Sequence, residues 1–344
     1  KAAADVIMQA NNVVAFYGAE GLTYEETDAV AKLLANLLLI KNEEAHAGRP
    51  NNGLIPVWPH NNTQGAWDMG IHPALEPGYK AAANPGMSAA EMYAAAQSGA
   101  LKALFVLAAD PIGDGLMADR GKLDFLVVQE LFLTETAAQA DVVLPAQSWA
   151  EREGTFTSGE RRVQRYYPAI QPVGETRPDW QILAQIGERV GLEKPAFAAS
   201  LVFRDLAKVV PQYKEMDYRA LAWVEKQWPD VGGDDLYYGG NAYENRVGLG
   251  MQWAVAAESG AVDHFEVADV AESAPNGVAL VRTAALFTPG TLINHTDLLK
   301  PRMAKPTLTV NQDDAAGLQM ADQEAVSVEV NGKAVAVKVQ VNGR

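Results

Sequence analysis

The 344-residue sequence contains no cysteine, so any chemistry here has to come from other side chains. Disulfides, Cys-ligated zinc and iron–sulfur ligation are thereby excluded within this chain. The densest charge cluster is Glu160-Arg161-Arg162-Val163-Gln164-Arg165. Arginines at this spacing in a net acidic chain can grip a phosphate or a partner carboxylate through bidentate bonds. Surface arginines also pair commonly with neighbouring Asp and Glu, so a salt-bridge cluster is the alternative. His46, His60, His72, His264 and His295 lack a His or acid partner at metal-ligand spacing on a predicted helix, and no metal site is expected. A nucleophile elbow and a Walker loop are absent. Gly113-Asp114-Gly115 and Gly248-Leu249-Gly250 lack the third glycine and the strand–helix setting of a dinucleotide loop, and read as turns. The adjacent acids Asp234-Asp235 and Asp313-Asp314 read as turns or helix starts, where the helix dipole favours negative charge. No catalytic residue is assigned.

The elements that must position such residues follow from periodicity. Continuous apolar runs of strand length occupy 13–17, 103–107, 125–129 and 141–144, and helical spacing covers 24–40. Ser88 and Glu91 form a capping box that starts a helix to about residue 97. Buried strands alternating with helices predict a parallel sheet covered on both faces. Residues 42–84 are rich in Gly, Pro, Asn and His, and a loop that long is usually functional or interfacial. The stretch 151–171 reads as irregular. Pro178 precedes a strong helix over 179–190, and Gly191 sits just past its end. Helices are expected over 200–210 and 217–228. Short strands are expected at 278–282, 307–310, 325–330 and 334–339, with Asn331-Gly332 as a hairpin turn.

The expected fold class is α/β: a doubly wound, mostly parallel sheet domain followed by a β-rich domain. The expected divisions are an α/β domain at 1–170, a helical extension at 171–228, a loop-rich arm at 229–276 and the β-rich domain at 277–344. The arm carries Tyr237, Tyr238, Tyr243 and Trp253, residue types favoured at interface cores, and is read as a subunit contact. The formal charge of -15 repels phosphate backbones, so nucleic acid is a poor partner. The apolar stretch 33–40 is interrupted by Asn36 and is far short of the roughly 20 residues that span a bilayer. Direct membrane insertion is not expected. Lys1 without an initiator Met, and a β-rich run reaching Arg344, lead to the expectation of a fragment of a longer chain.

Read in order, several segments resemble the molybdopterin-oxidoreductase superfamily. Asn61-Asn62-Thr63-Gln64-Gly65-Ala66-Trp67-Asp68-Met69-Gly70, with Pro77-Gly78-Tyr79, resembles its asparagine-rich loop. Gln129-Glu130-Leu131-Phe132-Leu133-Thr134-Glu135-Thr136-Ala137, then Ala140-Asp141-Val142-Val143-Leu144-Pro145, resembles its strand–loop–helix–strand signature. Glu153-Gly154-Thr155-Phe156-Thr157 and Arg177-Pro178-Asp179-Trp180 continue the series. The resemblance implies that loops at strand ends hold the guanine nucleotides of a bis-molybdopterin cofactor. The matching positions are Asn62, Gln64, Asp110, Glu130, Thr134, Thr157 and Arg161. The terminal β domain, from Leu280 through Pro289-Gly290-Thr291-Leu292-Ile293-Asn294 to the hairpin, resembles the family's double-psi β-barrel, which would close over the pterin.

Departures from the family pattern direct the functional expectation. Active members often carry Cys at the Trp67 position and Asp at the Glu130 position. A His-containing segment of formate dehydrogenases is replaced here by Leu286-Phe287-Thr288-Pro289-Gly290. The segment 51–60 and the arm resemble a cofactor-free branch, the large iron–sulfur subunit of bacterial NADH:quinone oxidoreductase (complex I). The expectation is therefore a structural and assembly module of that complex. It would bind no cofactor in this chain, with iron–sulfur clusters in an upstream part and the other soluble subunits of the peripheral arm as partners. Its place would be cytoplasmic, against the inner face of the plasma membrane. The alternative is the C-terminal half of a molybdenum bis-molybdopterin oxidoreductase such as formate dehydrogenase, in which the named positions are vestigial no longer and molybdopterin is bound.

Overall fold

A computed structural model of the chain describes residues 2–10, 13–19, 22, 24–41, 53–159, 161–192, 196–221, 251–252, 264–269, 280–281, 283, 293, 295–330 and 333–342. The four aromatic residues singled out in the arm, the segment 286–290, the Asn331-Gly332 turn and most of the strand expected at 278–282 lie outside the described residues. The chain divides into two compact units, Lys1–Arg282 and Thr283–Arg344.

The first unit opens with α1 (Ala2–Gln9), β1 (Val14–Tyr17), α2 (Tyr24–Lys41) and β2 (Gly53–Pro56). β1 and β2 pair in parallel, Val14 opposite Gly53 and Tyr17 opposite Pro56, which leaves both carboxyl ends on one edge. Next come the short helix α3 (Thr63–Asp68) and a minimal antiparallel pair, β3 (Leu75–Glu76) and β4 (Lys80–Ala81).

Helix α4 (Ala89–Ser98) starts at the Ser88–Glu91 capping box and ends at Gly99, whose φ of 89° is one that glycine adopts without a Cβ penalty. A three-stranded parallel sheet follows, β5 (Ala103–Leu107), β6 (Phe125–Glu130) and β7 (Val142–Pro145), with β6 in the centre and α5 (Glu135–Ala138) before β7. One face is closed by Ala96 of α4, Leu123 and Ala137 of α5 against Val106, Leu126 and Val128. The other face differs from the sequence expectation of two covered faces. Phe105, Leu107 and Phe125 share it and are 40 to 46% exposed. Continuous apolar strands signal a demand for cover on both sides, and the described residues meet it fully on one and, at the Gln129 end, in part on the other.

The stretch read as irregular is a hairpin, β8 (Gly154–Thr157) with β9 (Arg162–Tyr166), extended by β10 (Met251–Gln252) on the far side of β9. Alternation failed as a signal because the strands read Gly-Thr-Phe-Thr and Arg-Val-Gln-Arg-Tyr, where aromatic stacking and arginine stems replace aliphatic side chains. Phe156 and Tyr166 stack at 4.4 Å. Around Val163 of β9 pack Phe203 of α7 (Ala199–Val209), Val210, Tyr213 and Tyr218 of α8 (Tyr218–Leu221). α6 (Asp179–Arg189) lies between hairpin and α7 in sequence, with Pro178 at its N-cap.

In the second unit β13 (Lys333–Asn342) runs between β11 (Thr307–Asn311), parallel to it, and β12 (Ala325–Val330), antiparallel. α9 (Gln312–Gly317) begins at Asn311, whose side chain accepts the Asp314 N–H. Val310, Ala315 and Val339 form the core. The mixed α/β class with parallel sheets is thus present.

Candidate functional site

The carboxyl ends of β1 and β2 open on a cleft of about 350 Å³. Tyr17 ends β1, and Trp58 follows β2 after Pro56. Gln64 and Trp67 come from α3, Tyr79 from the turn before β4, and Arg161 from the β8–β9 turn. Trp58 meets Trp67 edge-on at 4.7 Å and Tyr17 at 6.1 Å, giving an aromatic wall. The Nε1 donor of Trp58 is buried and has no acceptor among the described residues.

Behind this wall lies a buried polar network. Asp68 is fully buried. Its Oδ1 accepts from Gln64 Nε2 at 2.8 Å and from Tyr79 Oη at 2.6 Å. Its Oδ2 accepts from Tyr213 Oη at 2.7 Å. Tyr213 gives its one proton to Asp68, so the 2.6 Å contact with Thr157 Oγ1 has threonine as donor. Asn62 ties the same threonine to α3, its Oδ1 accepting the Thr157 N–H at 2.9 Å. Gly65 permits this, because a Cβ there would lie 2.3 Å from that oxygen. Burial pushes the Asp68 carboxyl above its usual range, opposed by the Tyr79, Tyr213 and Gln64 donors and by the Arg161 charge. Burial and the neighbouring carboxylate push the Tyr79 phenol far up. The Tyr213 phenol is also raised by burial first, with Asp68 adding to it.

The arginine cluster divides in three. Arg161 takes a left-handed φ of 62°, a costly conformation for a residue with a Cβ, fixed by its N–H bond to the Ser158 carbonyl. This aims it at the cleft. Arg162 is buried in β9. Arg165 bonds Glu153 at 2.8 Å and lies over the rings of Tyr167 and Tyr218, a structural cation–π clamp.

The other candidates gather at the carboxyl ends of β5 and β6. Asp110 Oδ1 accepts from the Thr136 hydroxyl at 2.6 Å, the Thr136 N–H at 2.9 Å and the Gly113 N–H at 3.2 Å. Burial raises its carboxyl, but these donors outweigh burial and hold it below the usual range. Thr134 caps α5 through the Ala137 N–H. Glu130 ends β6, buried, accepting the Leu131 N–H at 2.7 Å.

The structure therefore brings Asn62, Gln64, Thr157 and Arg161 together at one strand end, and Asp110, Glu130 and Thr134 at another. The residues not singled out from sequence are Asp68, Tyr79, Tyr213, Trp58 and Tyr17. The i, i+4 spacing of Gln64 and Asp68 on α3 was the one readable signal. Tyr213 lies 145 residues from Asp68, beyond the reach of any spacing rule. Among the described residues no group of three or more His, Asp and Glu could hold a metal ion, and no helix is long and apolar enough to cross a membrane.

Open α/β units take their ligands in crevices at strand carboxyl ends, and this unit has polar and cationic side chains in such positions. The chain belongs to the molybdopterin oxidoreductase family, whose model matches residues 2–189. It is 33% identical over 326 residues to the F420-dependent formate dehydrogenase 2 subunit alpha of Methanococcus maripaludis, covering 86% of this chain and 46% of that protein. It is 32% identical to the F420-dependent formate dehydrogenase subunit alpha of Methanocaldococcus jannaschii, over 88% of this chain and 47% of that protein. A probable oxidoreductase of Bacillus subtilis, YjgC, is 35% identical over 66% of this chain and 25% of that protein. The chain thus spans about half the length of the two formate dehydrogenase subunits. Acetylene hydratase from Pelobacter acetylenicus aligns over 83% of this chain and 42% of that chain, with TM-score 0.43 and 17% identity.

These findings correct the functional expectation. The relatives are formate dehydrogenase subunits, which overturns the structural module of complex I, with its quinone and membrane-complex setting. Family membership likewise overturns the expectation of no cofactor in this chain. The physical reason is visible at Trp67. The departure from Cys at this position is not a lost contact, for Trp67 lines the cleft and builds its aromatic wall.

Proposed function

We propose that this chain is the cofactor-holding part of a molybdopterin-dependent oxidoreductase of the formate dehydrogenase kind. The observation that carries the reading is the cleft at the ends of β1 and β2, where a cation, an aromatic wall and unspent polar atoms meet. These residues fit the group. A molybdopterin nucleotide combines planar rings that stack on aromatic faces, polar ring edges and phosphates that arginine grips. Arg161 would hold phosphate, Trp58 and Trp67 would supply ring contacts, and Gln64 would meet a polar edge. Asp110, Glu130 and Thr134, at the second pair of strand ends, are the proposed contacts for the other half of a bis-molybdopterin.

Formate oxidation yields carbon dioxide, one proton and two electrons, and the bound cofactor supplies the two-electron acceptor. What this chain does is bind and orient. The buried network fixes α3 against β8, so the groups facing the cleft are held before any ligand arrives. The β11–β13–β12 sheet, with one parallel and one antiparallel neighbour to its central strand, supports the reading of the second unit as part of a double-psi barrel.

The test is metal and pterin analysis of the full-length protein, together with formate-dependent dye reduction. Stoichiometric molybdenum or tungsten, and pterin fluorescence after oxidative release, are expected, with Arg161→Ala lowering cofactor content several-fold. A full-length protein purified from its own cells without metal or pterin overturns the reading.

A further inference from the structure

Gln64 lines the cleft, and its hydrogen-bond polarity is set from behind. Its Nε2 carries two protons, and both are committed. One goes to Asp68 Oδ1 at 2.8 Å, the other to Tyr79 Oη at 2.6 Å. Tyr79 can accept that proton because its own hydroxyl hydrogen goes to the same Asp68 oxygen at 2.6 Å. A Gln64 amide turned the other way would set its oxygen against a carboxylate oxygen, an acceptor against an acceptor. The carboxylate is itself held in place by Tyr213, and Tyr213 by Thr157. The remaining atom of the amide, Oε1, accepts no hydrogen bond among the described residues and belongs to a side chain on the cleft wall.

We propose that Asp68 is a positioning residue: it holds the Gln64 amide with its oxygen toward the cleft and so makes the cleft select a ligand edge that donates N–H. This inference rests on the cofactor reading above. Guanine and pterin share such an edge, the 2-amino-4-oxopyrimidine, in which a ring N–H and an amino group stand side by side. A cleft with a fixed acceptor discriminates against analogues lacking those donors, because Gln64 Oε1 is then left without a partner in a partly desolvated site. Asp68 touches no ligand; it acts through Gln64 and Tyr79.

The experiment uses the full-length protein freed of cofactor and measures binding by calorimetry in two arms. One arm compares GDP with IDP, which lacks the amino group. The other compares pterin with lumazine, which carries oxygen in its place. The arm showing a preference identifies which ring occupies this cleft. Wild type is expected to prefer the amino ligand about tenfold, the scale of one well-made hydrogen bond in a partly desolvated site. Asp68→Ala should reduce that preference to near unity. Asp68→Asn, which can keep an amide oxygen facing Gln64 and Tyr79, should restore most of it, and a merely structural role would not produce this pattern. Should Asp68→Ala fail to fold, Tyr79→Phe gives the same readout, since it frees one Gln64 proton and should weaken the preference several-fold. A preference that survives in a folded Asp68→Ala and in Tyr79→Phe overturns the proposal while leaving the cofactor reading intact. So does a wild type that carries cofactor as isolated yet shows no preference in either arm. A full-length protein that carries no cofactor and binds none of the four ligands overturns the cofactor reading, and this inference with it.

Discussion

Tyr213 donates its phenolic proton to Asp68 at 2.7 Å, joining the turn after α7 to the end of α3. The bond is buried at both ends, so its loss cannot be made good by bulk water. Tyr213→Phe keeps the ring packed near Phe203, 5.9 Å away, and removes only the hydroxyl. Asp68 Oδ2 and the Thr157 hydroxyl then lose a partner together. The expected cost is about 1–3 kcal/mol. It is read as a lower urea midpoint with an unchanged slope.

Gly70 stands between α3 and the turn that carries Tyr79. Its φ is +74°, and a Cβ there would lie 2.6 Å from the Pro77 nitrogen and 2.7 Å from the Glu76 carbonyl carbon, both backbone atoms. Gly70→Ala therefore combines an unfavourable backbone region with a contact that cannot rotate away. A loss of more than about 1 kcal/mol is expected in thermal or urea melts.

Acid sensitivity follows from Asp110. Its carboxyl is held below the ordinary value of 3.8 in the folded chain, with the Thr136 hydroxyl the largest of the causes that outweigh burial. The folded state thus binds the proton less readily than the unfolded state. The stabilisation is fully present above the ordinary value and is lost as pH falls through the lowered one. Asp110→Asn should be less stable than wild type at pH 7, and the gap should narrow as pH drops below the ordinary value. Melting temperatures of both proteins across that range check the sign. A gap that widens in acid would contradict it.

The closed face of the parallel sheet sets the stability of its unit. Leu126 is 1% exposed in the central strand, among Ala96, Val106 and Ala137. Leu126→Ala leaves a cavity at the centre of that cluster, and about 2–5 kcal/mol of destabilisation is expected by equilibrium unfolding.

Most of the elements were legible from local rules. The capping box placed α4 because Ser88 and Glu91 satisfy each other's orphan groups within one turn. Apolar runs placed β5, β6 and β7. The β8–β9 hairpin was not legible, since its strands are held by Phe156–Tyr166 stacking and by the Arg165 clamp rather than by alternating aliphatics. The cofactor candidates were named from motif order, and the structure sorted them into two strand ends. Motif departures misled at function. A changed residue type at Trp67 and Glu130 says that one contact differs, whereas whether a cleft survives depends on what surrounds it.

The sequence by itself determined the alternation of helix and strand, the absence of cysteine ligands and the family. Those properties depend on residue type and on spacing within a few turns, which the chain carries locally. Only the tertiary structure decided which of the three clustered arginines faces the cleft, and that Asp68, Tyr79 and Tyr213 form one buried network. A left-handed φ at Arg161 and a hydrogen bond spanning 145 residues are products of the folded backbone. A carboxylate excluded from water accepts whatever donors the fold brings to it, and spacing along the chain does not encode which donors those are.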